Sequence, residues 1–288
     1  MIIRYIKLAA IAVIISFTAC KQKVNKPADI KYGDNPAAGK YADIRGFKMY
    51  YEVYGSGEPV LFIHGNGGSI SNFSNQIPVF AEKYKVIAAD SRAQGKSADL
   101  KDSLSYEMMA DDLNALMDTL HIKQAYVVGW SDGGIDGLLL AMRHPDKVKK
   151  LAITGPNLWT DSTALAPFTY NWIQTTTDSL AKVVAKPGAK AETKASYKLM
   201  HLMAVQPNIR LVQLHKITAP TLVIGGDHDV IVTQHLLDIS KSIPQSYLWI
   251  IPNSGHATPI SKKEQFNKIV GDFFSEPYRK IEGFDTFN

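Results

Sequence analysis

Ala125-Tyr126-Val127-Val128-Gly129 is a short apolar run, and helical spacing starts at Asp132, so a buried strand must turn into a helix almost at once. The same rhythm recurs along the chain. Strands are predicted at 47–54, 59–63, 85–89, 148–154, 221–224 and 246–251, and helices at 72–83, 106–120, 132–143 and about 261–274. Short runs that are apolar on both faces and separated by helices cannot be hairpin strands. They need crossover connections, so the predicted class is α/β, a mostly parallel central sheet with helices on both faces. The rhythm breaks once, between Asn157 and His215, where Trp159, Phe168, Tyr170, Trp172 and Tyr197 fall in one long insertion. A structureless loop of that length is improbable in a compact domain, so a small helical cap is predicted at about 157–215.

The turn after Gly129 reads Gly129-Trp130-Ser131-Asp132-Gly133, which fits G-x-S-x-G at the strand-to-helix position that the motif requires. A serine hydroxyl is a poor nucleophile until a base accepts its proton. Of eight histidines, His256 is suitably placed, in Asn253-Ser254-Gly255-His256 between the last predicted strand and the final helix. His121, His144, His201, His215 and His235 fall at helix ends or in the cap and are expected to be solvated; His64 is expected to be structural. An imidazole in that role needs a carboxylate to fix its tautomer. Gly225-Gly226-Asp227-His228-Asp229 offers two, just past a strand.

A developing oxyanion needs preorganised N–H donors. The amide of Asp132, at a helix N-terminus, is one candidate. The other is expected from His64-Gly65-Asn66-Gly67-Gly68, with Asn66 as the donor. Trp130 and Asp132 flank the serine and are candidates for the substrate pocket. The Asp132 carboxylate would oppose oxyanion charge unless a cation met it. A substrate ammonium is one such cation; pairing with protein, through Arg92 or a loop amide, or exposure to water are the alternatives.

The N-terminus is separate in character. Arg4 and Lys7 precede the apolar run Leu8–Ile15, which is too short to span a bilayer, and Ser16-Phe17-Thr18-Ala19 leads into Cys20, the only cysteine. The segment resembles a bacterial lipoprotein signal, with Phe17 where an aliphatic residue is commoner. That resemblance implies a signal peptide over 1–19, lipidation of Cys20, and a flexible tether over 20–40. The folded domain is then 41–288, membrane-anchored in a bacterial cell envelope. A domain without other cysteines cannot depend on disulfides. The formal charge is +5, or +3 without Arg4 and Lys7, with no dense basic block, so nucleic acid is not an expected partner. Hydrophobic residues at 45% and charged ones at 20% suit a globular domain with one large core.

LFIHGNGGS, Asp90–Ser97, GWSDGG, MRHPDKVKKLAITG, APTLVIGGDHDVI and NSGHA together resemble the cap-bearing α/β-hydrolase superfamily, in its esterase-like branch, over about residues 44–275. Ala93 departs from the glycine usual at its position. The fold implied is the α/β-hydrolase fold with its small helical cap inserted after the sixth strand. The Gly-x-x-Asp spacing favours Asp229 over Asp227 as the triad acid, and the chain order Ser131, Asp229, His256 is that of the fold. Dehalogenases and epoxide hydrolases of this superfamily carry aspartate at the nucleophile, so Ser131 argues against both. GWSDGG is similar to the segment of valacyclovir hydrolase-like (biphenyl hydrolase-like) proteins, which cleave esters of α-amino acids.

The resemblance implies a serine hydrolase acting on a small carboxylic ester, an aminoacyl ester included, without metal or organic cofactor. A carbon–carbon bond hydrolase or perhydrolase is the alternative enzyme. A small-ligand receptor using the same pocket is the alternative outside enzymes.

Overall fold

A computed structural model of the protein describes residues 30–99, 103–283 and 286. The expectations for the leader, for Cys20 and for most of the tether fall outside these residues. Among the described residues, no helix is long and apolar enough to cross a membrane.

Eight strands form one sheet: β1 (Gly39–Ile44), β2 (Phe47–Tyr54), β3 (Glu58–Ile63), β4 (Tyr84–Ala89), β5 (Ala125–Trp130), β6 (Val148–Thr154), β7 (Thr221–Gly226) and β8 (Ser246–Ile251). Their order is β1-β2-β4-β3-β5-β6-β7-β8, antiparallel as far as β4 and parallel from there to β8. The helices are α1 (Ile77–Phe80), α2 (Tyr106–Thr119), α3 (Asp132–Arg143), α4 (Pro167–Val184), α5 (Ala191–Val205), α6 (Thr233–Ser242), α7 (Thr258–Ser261) and α8 (Lys263–Ser275).

Alternation along each strand divides the core in two. Leu61, Ile63 and Val127 point to one face, beneath α2, α3 and α6. Val60, Phe62, Tyr126 and Val128 point to the other, beneath α1 and α8.

Several elements differ from expectation. The helix predicted at 72–83 is a single turn at Ile70–Phe73 followed by α1, because Pro78 allows a helix only from its first turn. Helix α6 was not anticipated; it buries only a narrow stripe of His235, Leu236 and Ile239. The cap is built of α4 and α5, inserted after β6 as the resemblance implies.

Residues 31–40, expected to belong to a tether, are part of the folded domain. Residues 31–38 lie against the domain and β1 pairs with β2. Glu52, fully buried on β2, accepts the amides of Gly33 and Asn35 at 2.8 and 2.9 Å and the hydroxyls of Tyr50 and Tyr54 at 2.7 Å each. Four donors satisfy a buried carboxylate that would otherwise be costly. These polar bonds, with the single ring contact of Tyr32 on Tyr54, order a segment that has few large apolar residues, which is why its composition suggested a tether.

Candidate active site

The ends of β5, β6, β7 and β8 converge on one cavity, at the carboxyl edge where open α/β sheets bind ligands. Ser131 follows β5 with φ 57° and ψ −120°. A non-glycine residue in that region is strained by about 1–3 kcal/mol. Its amide donates to the Thr154 carbonyl at 2.8 Å, and its carbonyl accepts from Gly134 at 2.7 Å. A Cβ at Gly133 would fall on the carbonyl oxygen of Ile63, and one at Gly129 on that of Gly133. The two glycines of the motif are therefore required by close backbone approach.

Ser131 Oγ lies 2.9 Å from His256 Nε2, and His256 Nδ1 lies 2.7 Å from Asp229 Oδ1. Asp229 is fully buried on its side chain and also accepts the Ile231 amide at 3.1 Å. Asp227 does a different job. Its carboxylate accepts the amides of Asn253 and Ser254, each at 3.0 Å, and His228 Nδ1 at 2.8 Å, tying the β7 loop to the β8 loop. Those amides, that of Ser254 first, hold the Asp227 carboxyl well below the usual carboxylate range. The geometry therefore brings Asp229, not Asp227, to His256.

Gly155, after β6, was not anticipated as part of the site. It has φ +60°, and a Cβ there would lie 2.7 Å from His256 Cε1 and 2.8 Å from its Nδ1. The imidazole rests on this bare Cα. Gly155→Ala is expected to push the ring off Ser131 and lower kcat/KM by about a hundredfold, the scale for a displacement near 1 Å. Steady-state kinetics beside a thermal melt will separate this from the smaller stability cost of a left-handed alanine.

Asp132 is buried, and among the described residues both of its side-chain bonds fall on Oδ2: Asn66 Nδ2 donates at 2.8 Å and the Tyr106 hydroxyl at 2.7 Å. Burial raises its carboxyl pKa, while these two donors and His256 oppose the rise. Burial, with the Asp132 charge, pushes the Tyr106 hydroxyl well above its ordinary value, which keeps it a donor. Arg92 is not the partner of Asp132. It is bidentate to Asp112 at 2.6 and 2.8 Å and reaches Asp99 at 3.0 Å.

The Asn66 side chain is committed to Asp132 and, at 3.3 Å, to the Leu199 carbonyl. Only its main-chain amide is left for an oxyanion. The loop does approach the nucleophile, since a Cβ at Gly65 would sit 3.1 Å from that of Ser131.

Trp130 requires a correction. Strand alternation turns its indole to the face of Tyr126 and Val128, away from the cavity wall, where Nε1 donates to the His256 carbonyl at 3.0 Å. It holds the histidine loop from behind. His235 also departs from expectation: it is buried on α6, accepts the Leu158 amide at 3.0 Å, and meets the Trp159 ring at 4.4 Å. Burial lowers its pKa to about 4. His64 is structural as expected, accepting the Ser91 amide at 2.9 Å.

The cavity holds about 450 Å³ and includes Ser131, His256, Tyr106 and Asp132. Its walls are apolar, with Leu165, Phe168, Trp172 and Ile173 from the first half of the cap, Met203 from the second, and Val230 beside the acid. Of the cap aromatics, only Phe168 and Trp172 face it. Trp159 packs on His235 and Tyr197 stacks on His201. The base of the cap is stitched to the acid loop, with Ala166 N to Val230 O and Val232 N to Ala164 O both at 2.8 Å.

An eight-stranded sheet of this order, with a serine on the turn after β5 and a cap after β6, defines an α/β hydrolase. The chain belongs to the α/β-hydrolase fold family, whose model matches residues 58–202. It is 28% identical over 262 residues to the putative carbamate hydrolase RutD of Stutzerimonas stutzeri (strain A1501), covering 79% of this chain and 97% of that protein. It is 26% identical over 277 residues to the 2-hydroxymuconate semialdehyde hydrolase of Pseudomonas sp. (strain CF600), covering 84% and 96%. A thermophilic esterase from Thermogutta terrifontis shares the fold with a TM-score of 0.70 at 21% identity, covering 83% of this chain and all of that one.

Proposed function

We propose that the protein is a serine hydrolase that cleaves a small carboxylic ester through an acyl-enzyme. The observation that carries this reading is the continuous relay from Ser131 Oγ through His256 to Asp229, opening into a mostly apolar cavity. His256 takes the proton of Ser131 as Oγ attacks the carbonyl carbon, and Asp229 holds the ring in the correct tautomer. The main-chain amides of Asn66 and Asp132 are the proposed oxyanion donors. His256 then protonates the leaving alcohol, and water activated by the same imidazole releases the acid.

Reaction with a fluorophosphonate, followed by peptide mapping, tests the nucleophile, and a panel of p-nitrophenyl, aminoacyl and carbamate esters tests the substrate. Stoichiometric label on the Ser131 peptide with ester turnover is the expected result. Label without turnover on any ester would reject the esterase reading in favour of a ligand-binding role. The muconate-semialdehyde relative supports a second reading, carbon–carbon bond hydrolysis. Turnover of a vinylogous diketone in preference to every ester would establish it.

The substrate reading can be sharpened at Asp132. Oδ2 takes both protein donors, while Oδ1 has no bond among the described residues and the side chain borders the cavity. A protonated α-amine on the acyl group would meet Oδ1 and neutralise a charge that otherwise opposes the oxyanion. Asp132→Asn is expected to reduce the preference for aminoacyl over plain acyl esters by about 10–100-fold, the worth of a hydrogen bond to a charged group. An unchanged preference would sink the idea.

The leader supports a lipid anchor at Cys20 in the same proposed role, a hydrolase held at a bacterial envelope membrane. Incorporation of a clickable fatty acid that persists in Cys20→Ser would refute it.

A further inference from the structure

The cap carries the net charge of the molecule. Residues 157–215 hold six lysines and arginines against Asp161, Asp178 and Glu192, a net +3, whereas the remainder of the chain from Lys21 onward sums to zero. The cap also exposes large apolar groups. One stripe of α4 at helical spacing reads Phe168, Trp172, Thr175, Ser179 and Val183, all exposed and none charged. Phe168 is 69% and Trp172 53% exposed, although both also border the cavity. Exposed Lys182, Lys186 and Lys190 follow at the C-terminal end of this stripe.

Exposed aromatics at the start of α4 with lysines at and beyond its far end, about 15 Å or more along the helix, suit one environment in particular. An indole and a phenyl ring gain by entering the region between headgroup and acyl chain, while lysine stems extend their ammonium groups to phosphates. We propose that the cap docks on an anionic phospholipid surface through Phe168 and Trp172, with Lys182, Lys186 and Lys190 on the headgroups. The mouth of the catalytic cavity then opens onto lipid, and substrate enters from the bilayer surface. This contact is separate from any anchor at Cys20 and does not depend on the substrate being an ester.

The test uses the full chain reconstituted in vesicles, with tryptophan emission read against two quenchers, a lipid brominated near its headgroup and aqueous iodide. In vesicles rich in phosphatidylglycerol, the brominated lipid quenches a component of the emission that Trp172→Phe removes. The triple variant Lys182→Glu/Lys186→Glu/Lys190→Glu loses that component, because each lysine at an anionic surface contributes about fivefold to occupancy. Its turnover of a water-soluble ester stays at the parent level, since none of the three lysines borders the cavity. Four outcomes overturn the proposal. Trp172 quenched by iodide alone places the cap in water, and Trp172 shielded from both quenchers places it against protein, a second copy included. Equal quenching in phosphatidylcholine vesicles, or in the triple variant, removes the anionic surface as the partner.

Discussion

Ser131→Ala is expected to lower kcat for ester hydrolysis by about a millionfold and to abolish fluorophosphonate labelling. The reason is geometric. Ser131 Oγ is the nucleophile of the proposed mechanism, and the tight turn that presents it leaves no other hydroxyl in its place 2.9 Å from His256 Nε2. The stronger form of the prediction concerns additivity. His256→Ala alone should cost about as much, and Ser131→Ala/His256→Ala no more than either, because a base without its nucleophile does nothing. Assays must be preceded by active-site titration, so that trace wild-type enzyme is not read as residual activity. Independent losses that multiply in the double variant would show that the two side chains do not act as one unit.

Asp229→Asn is expected to lower kcat by about ten-thousandfold with little change in KM. An asparagine there presents its amide or its oxygen to His256 Nδ1, so the tautomer is no longer dictated and the imidazolium is no longer stabilised. The fold should tolerate the change, since the remaining oxygen can still accept the Ile231 amide. Asp227→Asn is the paired control. It weakens the tie to Asn253 and Ser254 in the loop that carries His256, so a modest loss of activity is expected, within about tenfold, with the neutral amide still accepting one of those bonds. A reversal of the two effects would transfer the role of orienting acid to Asp227, against the distances.

Together these variants probe how the sheet assembles the site. Each proposed triad member sits just beyond the carboxyl end of a different strand, and parallel pairing of β5, β6 and β7, then β8, sets their spacing. The Gly155 backbone between β6 and the cap then fixes the plane on which His256 lies. Asp132, Asn66 and Tyr106 cross-link α3, the loop after β3 and the start of α2, so the two proposed oxyanion residues are bonded to each other through their side chains. Preorganisation of this kind keeps donors in place before charge develops.

The sequence by itself determined whatever follows from spacing within a few residues. Most strand and helix periods, the glycines of the turn at Ser131, the loop position of His256 and the existence of a cap after β6 follow local rules of chain geometry; the helix expected at 72–83 and the unanticipated α6 are the exceptions. Where two local patterns competed, the residues alone left both open, and the resemblance favoured Asp229. Asp227 and Asp229 both follow β7, and only the meeting of the β7 and β8 loops gives one to the Asn253 and Ser254 amides and the other to His256. The tertiary structure alone decided the remaining features. Tyr106 reaches Asp132 across 26 residues, Trp130 reaches the His256 carbonyl across 126, and Glu52 gathers Gly33 and Asn35 onto a strand edge. None of these pairs has a periodic signature, because each depends on where distant elements pack rather than on what neighbours a residue along the chain. A buried carboxylate, a bare Cα beneath an imidazole and an indole turned away from its expected pocket become visible only when the sheet has closed around them.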